Sequence, residues 1–328
     1  MHDQVLQLLR EADGYVSGEV MSRQLGISRA AVWKVIQTLR EEGYEIDAAT
    51  HRGYRLADSP DVLSAAEIRA VLGAHPWADR ITVLPTVDST NNYLKGLAAA
   101  GAPQGTVVAA GRQTGGRGRQ GRSFDSPAGM GIYFSVLLRP QTGPEAVSHL
   151  TEAVGVAACD AIQAAAGIRP GIKWTNDLIL QDRKLGGILT ELSLECESGQ
   201  VESVVVGIGI NCGQTPEQFP EEVRPMAISL QMALGQPVRR CAVIAGLIRA
   251  MSGVADTLLT EKARWLERYA GDCITIGRQV QVIRGGTVRR GRADGIGQNG
   301  ELLVTWETGQ QEAVFSGEVS VRGLYGYV

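Results

Sequence analysis

Residues 111 to 122 read Gly-Arg-Gln-Thr-Gly-Gly-Arg-Gly-Arg-Gln-Gly-Arg, with four arginines, five glycines and no acidic residue. Glycine lets backbone amides close on a ligand, while arginine carries a permanent cation whose planar fork of donors suits phosphate or carboxylate oxygens. The chemistry implied is the wrapping of an anion. A solvated or nucleic-acid-binding Gly/Arg run is the plainer alternative. Gly116, Gly118 and Gly121 also match the dinucleotide fingerprint, but that fingerprint needs an apolar helix behind it. Ser123-Phe-Asp-Ser-Pro127 follows instead, so no dinucleotide fold is expected.

Two further groups could share a site with this loop. Asn176, Asp177 and Lys184 fall within nine residues, beside Gly186-Gly187 and ahead of Gly207 and Gly209. A lone charge in a turn is usually just solvated. Here the glycines would let a ligand lie against strand backbone, which points to a functional cluster. Asp88-Ser-Thr-Asn91 opens a helix; it is either a simple N-cap or a set of hydroxyls and free amides that can hold a polar ligand group.

The elements that must position these residues follow from periodicity. Ile81 to Leu84 is expected as a strand, Thr106 to Ala110 as the strand entering the Arg/Gly loop, and Gly131 to Leu138 as the strand leaving it. Pro144 to Gly167 reads as one long helix, with Val147, Leu150, Val154, Ala158 and Ala161 on its covered face. The segment 172 to 192 reads as strand, turn at Asn176-Asp177, strand, turn at Gln181 to Arg183, strand, and Val201 to Asn211 as a further strand. Arg239 to Tyr269 is expected as a long helical region. Residues 271 to 328 carry short alternating strands punctuated by Gly285-Gly286 and Asn299-Gly300, expected as a small all-β barrel.

Residues 1 to 57 read differently. Val5, Leu8, Leu9 and Ala12 form the apolar face of a first helix; Glu19 to Leu25 is a second; Ser28 caps a third running to about Glu42 with Ile27, Ala31, Val35 and Leu39 inward. Arg29, Trp33, Gln37 and Arg40 share the other face with Lys34 beside them, and Tyr44 to Leu56 folds as a β-wing tipped by His51 and Arg52. This is winged helix-turn-helix geometry, and Ser28, Arg29, Trp33, Lys34, Gln37, Arg40, His51 and Arg52 are the candidate DNA contacts. The plainer alternatives are a protein-docking winged helix and a Trp33 packed on the wing. A linker at 57 to 63 and a capping box Ser64-x-x-Glu67 start the next domain.

Length and charge bound the whole. The chain has 328 residues, enough for two or three domains, and a net charge of −3, so any nucleic-acid contact must be local. The five cysteines are odd in number and far apart, with no metal-ligand spacing, and are expected as reduced core thiols of a cytoplasmic protein. The amino terminus shows no secretory pattern, and the most apolar stretch, 150 to 168, is interrupted by Glu152, Asp160 and Gln163, so no membrane span is expected.

Taken together, the N-terminal winged helix, Asp88-Ser-Thr-Asn91, Gln113-x-x-Gly-Arg-Gly-Arg-x-Gly-Arg122, Lys173-Trp-x-Asn-Asp177, Lys184-Leu-x-Gly-Ile188 and Gly207-Ile-Gly-Ile-Asn211 resemble the bacterial biotin protein ligases that double as repressors of the biotin operon. The resemblance runs nearly end to end. It departs at Thr175, where the family commonly has Pro, and at Phe124, where repressor members can have Trp.

The resemblance implies an α+β chain: a winged helix-turn-helix domain (1–57), a mixed-sheet, class II synthetase-like ligase domain (64–270) and an SH3-like barrel (271–328). It implies that biotin and ATP, with Mg²⁺, form biotinyl-5′-AMP, and that biotin then passes to a lysine of the biotin carboxyl carrier protein of acetyl-CoA carboxylase. It further implies a homodimer when the adenylate is bound, and binding to operator DNA.

The residues carried over are Ser89, Thr90, Asn91, Gln113, Arg117, Gly118, Arg119, Lys184 and Gly187 for biotin. For the nucleotide they are Arg119, Arg122, Asn176, Lys184 and Asn211. Lys184, Arg117, Arg119 and Asp177 are implied for catalysis, with Asp177 as a candidate Mg²⁺ ligand. Competing expectations are an anion-sensing transcription factor without ligase activity and a lipoate ligase.

Overall fold

The computed structural model describes residues 1–58, 61–315 and 319–323, with the side chains of residue 58 and of 319–323 left undescribed. Two compact units divide the chain, Met1–Glu67 and Ile68–Val328.

In the first unit, α1 (His2–Glu11), α2 (Gly18–Leu25) and α3 (Arg29–Glu41) precede a hairpin of β1 (Glu45–Ala49) and β2 (Gly53–Asp58). Ser17 and Ser28 cap α2 and α3 by accepting from the amides of Val20 and Ala31, each at 3.1 Å, which satisfies donors that a helix start leaves open. The core is Val5, Leu6, Leu9, Met21, Val32, Ile36, Leu39, Tyr44 and Ile46. The inward faces are thus turned slightly from expectation: Leu6 replaces Leu8 on α1, and Val32 and Ile36 are buried on α3 where Ala31 and Val35 are only half-covered. Packing against two partners at once selects the face, and a single helix period cannot fix that rotation.

The second unit begins inside α4 (Ala65–Leu72), at Ile68, and Ser64 Oγ accepts from the Glu67 amide as the capping pattern predicts. Its seven-stranded mixed sheet comprises β3 (Ile81–Leu84), β4 (Val107–Ala110), β5 (Gly131–Leu138), β6 (Gly171–Lys173), β7 (Asp177–Leu180), β8 (Arg183–Leu194) and β9 (Val201–Asn211). The order is β3-β4-β5-β9-β8-β7-β6, and only β3 and β4 are parallel. Helix α5 (Thr90–Ala99) lies on β4, β5 and β9, while α6 (Leu150–Ala166) packs on α8 (Arg240–Thr257), α9 (Lys262–Asp272) and β8; the short α7 (Leu230–Leu234) precedes α8.

Two expected long helices are shorter. Pro144–Val147 is a separate 3-10 turn, and the region 239 to 269 breaks at Leu258 into α8 and α9. The turn expected at Asn176-Asp177 lies one step earlier, with Asp177 opening β7.

The C-terminal all-β region is a five-stranded antiparallel sheet of β10 (Gln279–Arg284), β11 (Thr287–Ile296), β12 (Leu302–Trp306), β13 (Gln311–Val314) and β14 (Val319–Gly323), in the order β13-β12-β11-β10-β14. The turns fall at Gly285-Gly286 and Asn299-Gly300 as expected, but Ile274 and Ile276 lie before the first strand. All five cysteines are free thiols. Four are buried, and Cys196, expected in the core, is exposed. Among the described residues no helix is long and apolar enough to cross a membrane.

Helix α6 carries an unusual burden. Glu152 is buried, its Oε2 has no hydrogen-bond partner, and burial pushes its carboxyl from the ordinary 4.5 up to about 8. The folded chain therefore holds this proton while the unfolded chain releases it at the ordinary value. The stability cost is absent below about pH 4.5, grows as pH rises, and is complete above about pH 8, on the order of a few kcal/mol. Glu152→Gln should accordingly be more stable than the parent at pH 9 and nearly equal to it at pH 5 in denaturant titrations. A stability difference that does not change with pH would contradict this.

Candidate functional site

A cavity of about 610 Å³ opens on the central sheet, lined by the start of α5, the Arg/Gly loop, the turn before β7, and the glycine-bearing stretches of β8 and β9. Four segments far apart in sequence meet there because β5, β9, β8 and β7 are consecutive neighbours in the sheet.

The floor is a polar network set into apolar strands. Gln113 Oε1 accepts from the Thr90 amide at 2.9 Å and from Thr90 Oγ1 at 3.1 Å, and its Nε2 donates to Ser126 Oγ at 3.0 Å. Ser135 Oγ lies 2.7 Å from Thr90 Oγ1 and 2.6 Å from Asn91 Oδ1. Ser89, just before α5, is buried, yet its side chain does not cap the helix. Its hydroxyl is available to a ligand.

The glycines of β9 line the cavity as expected, and they also make room for the protein's own side chains. A Cβ at Gly207 would stand 2.2 Å from Asn91 Oδ1, and one at Gly209 would stand 2.7 Å from the Phe124 ring. These positions thus admit the protein's own Asn91 and Phe124 against the strand. Gly187 keeps the expected role, since it lines the cavity with Asp177 Oδ1 3.4 Å from where its Cβ would be.

Cations gather over the floor. Lys184 Nζ donates to Asp177 Oδ1 at 2.8 Å. Arg119 Nη1 donates to Thr175 Oγ1 at 3.1 Å and Asn176 Oδ1 at 3.0 Å; burial lowers its pKa, an effect that Asp177 and Glu152 partly offset. Arg117, Gly118 and Arg122 also line the cavity, Arg122 exposed at its edge. The Asn176 amide donates to the Ile188 carbonyl at 3.0 Å, tying the turn to β8.

Asn211 stands apart from the cavity lining. Its amide donates to the carbonyls of Lys184 at 3.3 Å and Ile228 at 3.2 Å, so it braces the strand that carries Lys184.

Sequence reasoning missed Ser126, Ser135, Met226 and Gln281, and took Lys173 and Trp174 only as part of a motif; all are close to this network or line the cavity. Ser135 had a signal: it is the lone polar residue in Gly-Ile-Tyr-Phe-Ser-Val-Leu-Leu, a strand buried along its whole length. Gln281, on β10, had none, because nothing local says that the C-terminal sheet reaches the cavity.

In the first unit, Arg29, Trp33, Lys34, His51 and Arg52 are exposed, Trp33 at 56%, so it is not packed on the wing. Gln37 is half-buried and Ser28 acts as the cap of α3. Arg40 donates through Nε and Nη2 to the Ile46 carbonyl at 3.1 and 2.6 Å, bracing the wing, and Arg52 lies 4.5 Å over the Tyr15 ring.

The chain matches three family models: an HTH domain at residues 2–55, the biotin/lipoate A/B protein ligase family at 83–211, and the biotin protein ligase C-terminal domain at 275–322. It is 36% identical to the bifunctional ligase/repressor BirA of Bacillus subtilis over 97% of each chain, and 35% identical to that of Escherichia coli K12 over 93% of this chain and 92% of the other. Among solved structures, the biotin protein ligase of Aquifex aeolicus in complex with biotin and ATP superposes with a TM-score of 0.63 at 30% identity, covering 74% of this chain and 98% of that one. The chain belongs to the biotin protein ligase family.

Proposed function

We propose that this protein joins biotin to ATP to form biotinyl-5′-AMP, transfers the biotinyl group to a lysine of biotin carboxyl carrier protein, and represses biotin-synthesis genes when the adenylate is bound. The observation that carries this reading is the convergence of Ser89, Thr90, Asn91, Gln113, Arg117, Gly118, Arg119, Asn176, Asp177, Lys184 and Gly187 on one cavity. Three functional regions go with it, at 1–57, 64–270 and 271–328, along with a cytoplasmic location and a homodimer favoured by the adenylate.

The first step sets a carboxylate oxygen on the α-phosphorus of ATP and expels pyrophosphate. Both reactants are anionic, so their approach is opposed until cations stand beside them. Lys184 and Arg119 supply that charge from fixed positions, and a pre-placed charge costs little reorganisation when the transition state forms. Ser89 and the Thr90–Gln113 network hold the neutral head of the acid, and Arg122 and Asn176 face the nucleotide.

Mg²⁺ fits the residues present in a limited way. Among the described residues Asp177 is the sole carboxylate lining the cavity, and no cluster of three ligating side chains exists. Mg²⁺ commonly takes one or two carboxylates, waters and substrate phosphates, so Asp177 would hold it and the ion would neutralise phosphate charge. In the second step the acceptor lysine amine attacks the anhydride carbonyl and AMP leaves. In this reading Asp177 accepts the amine proton.

The first unit would read operator DNA through the exposed stripe of α3, with Arg29, Trp33, Lys34 and Gln37 toward the groove and His51 and Arg52 at the wing tip. Arg40 contributes by holding the wing.

Lys184→Gln should slow biotin-dependent exchange of labelled pyrophosphate into ATP by about tenfold to a hundredfold, the worth of one charge-assisted hydrogen bond. Exchange supported by lipoate and not by biotin would overturn the substrate. Asp177→Asn should slow transfer from preformed adenylate to the carrier protein; unchanged transfer would remove it as the proton acceptor. For the first unit, Arg29→Ala should weaken binding to a biotin-gene promoter by about fivefold or more in gel shifts, with exchange unaffected. Equal retardation of parent and variant would argue against α3 as the reading helix.

A further inference from the structure

Glu191 sits on β8 four residues beyond Gly187, at the edge of the polar floor, and no part of the chemistry above uses it. Its two oxygens face two different parts of the site. Oε2 accepts from Asn91 Nδ2 at 2.9 Å. Oε1 is 3.2 Å from Arg117 Nη1 and also accepts from Lys95 Nζ. The side chain is only 17% exposed. Partial burial works against its charge, yet Lys95, Asn91 and Arg117 together hold the carboxyl below its usual range.

Asn91 and Arg117 are otherwise committed to the cavity, while Lys95 is not among its lining residues. Asn91 lies in the space left by Gly207, with Oδ1 against Ser135 Oγ and Nδ2 shared between Glu191 and the Leu189 carbonyl at 3.3 Å. Glu191 and the Leu189 carbonyl, both acceptors, together fix which end of the Asn91 amide points where. Arg117 is the root of the Arg/Gly loop: its backbone pairs with Ser123, the Gly118 amide donates to the Arg122 carbonyl at 2.7 Å, and the Phe124 amide donates to the Gly116 carbonyl at 2.9 Å. Its side chain turns away from the loop to Asn92 Oδ1 at 2.9 Å and to Glu191. The pairing of Arg117 with Ser123 closes residues 118 to 122 into a short flap whose two ends are held in place.

We propose that Glu191 is a positioning residue for the acid substrate, holding Asn91 on the cavity floor and the root of the Arg117–Ser123 flap with one carboxylate. The proposal rests on the biotin-site reading and deepens it. Glu191 touches no reacting atom. Its effect falls on how tightly the acid and the finished adenylate are held, and little on the rate of the bond-forming step.

The test uses the full-length protein and Glu191→Gln, which keeps the shape and an acceptor for Asn91 but removes the charge that pins Arg117. In pyrophosphate exchange the KM for biotin should rise by about tenfold, the value of one net hydrogen bond, with kcat and the KM for ATP within about twofold and thermal stability nearly unchanged. Adenylate preformed on the variant should also escape faster. Glu191→Asp, which retains the charge, should restore part of the affinity and serves if the first variant folds poorly. An unchanged biotin KM in an active variant overturns the role of Glu191 alone. A parallel loss of both substrates' affinity together with stability overturns it in favour of a purely structural ion pair. Absence of biotin-dependent exchange in the parent protein overturns the site reading itself.

Discussion

Two anions that repel one another must be brought within bonding distance, and most of what is unusual in this chain answers that constraint. A carboxylate and a triphosphate in contact would repel strongly wherever water is thin. The chain gathers Lys184, Arg119, Arg117 and Arg122 around one cavity and draws them from a loop and the start of β8. Because those cations also repel one another, three of them are given a partial partner: Asp177 for Lys184, Asn176 and Thr175 for Arg119, Glu191 for Arg117. Of these three partnerships, only the one at Glu191 lies outside the cavity lining.

The floor under those charges is built to be rigid. Seven strands fix the relative positions of Ser135, Gly187 and Gly207, and short hydrogen bonds lock Asn91 onto Ser135 and Gln113 onto Thr90. The loop above is rooted on both sides at Arg117 and Ser123. A stiff floor and a rooted flap divide the work between recognising a neutral ring system and enclosing a charged intermediate.

Much of this could be read from the residues in order. The Arg/Gly loop declares itself by composition, and Lys184 with Asn176 and Asp177 by spacing beside paired glycines. The winged helix declares itself by three amphipathic segments, the third capped by Ser28, and a hairpin. What could not be read depends on neighbours distant in sequence. Gly207 and Gly209 look like openings for a ligand and do line the cavity, but they also seat Asn91 and Phe124, which arrive from segments about 80 to 120 residues earlier. Asn211 and Arg40 look like ligand contacts and instead bond to backbone carbonyls. Glu152 looks like an interruption that keeps a helix soluble, and it is buried because α6 is covered on several sides. Local pattern specifies which elements form; packing decides which face and which partner each residue finds.

The central claim is that this cavity makes and keeps a mixed anhydride of biotin and AMP. The most direct measurement is mass spectrometry of the small molecules released by denaturing the purified protein after incubation with biotin, ATP and Mg²⁺ and rapid removal of free ligand. The account predicts biotinyl-5′-AMP in an amount approaching one per chain. Recovery of only unreacted biotin and ATP, or of nothing, would contradict it.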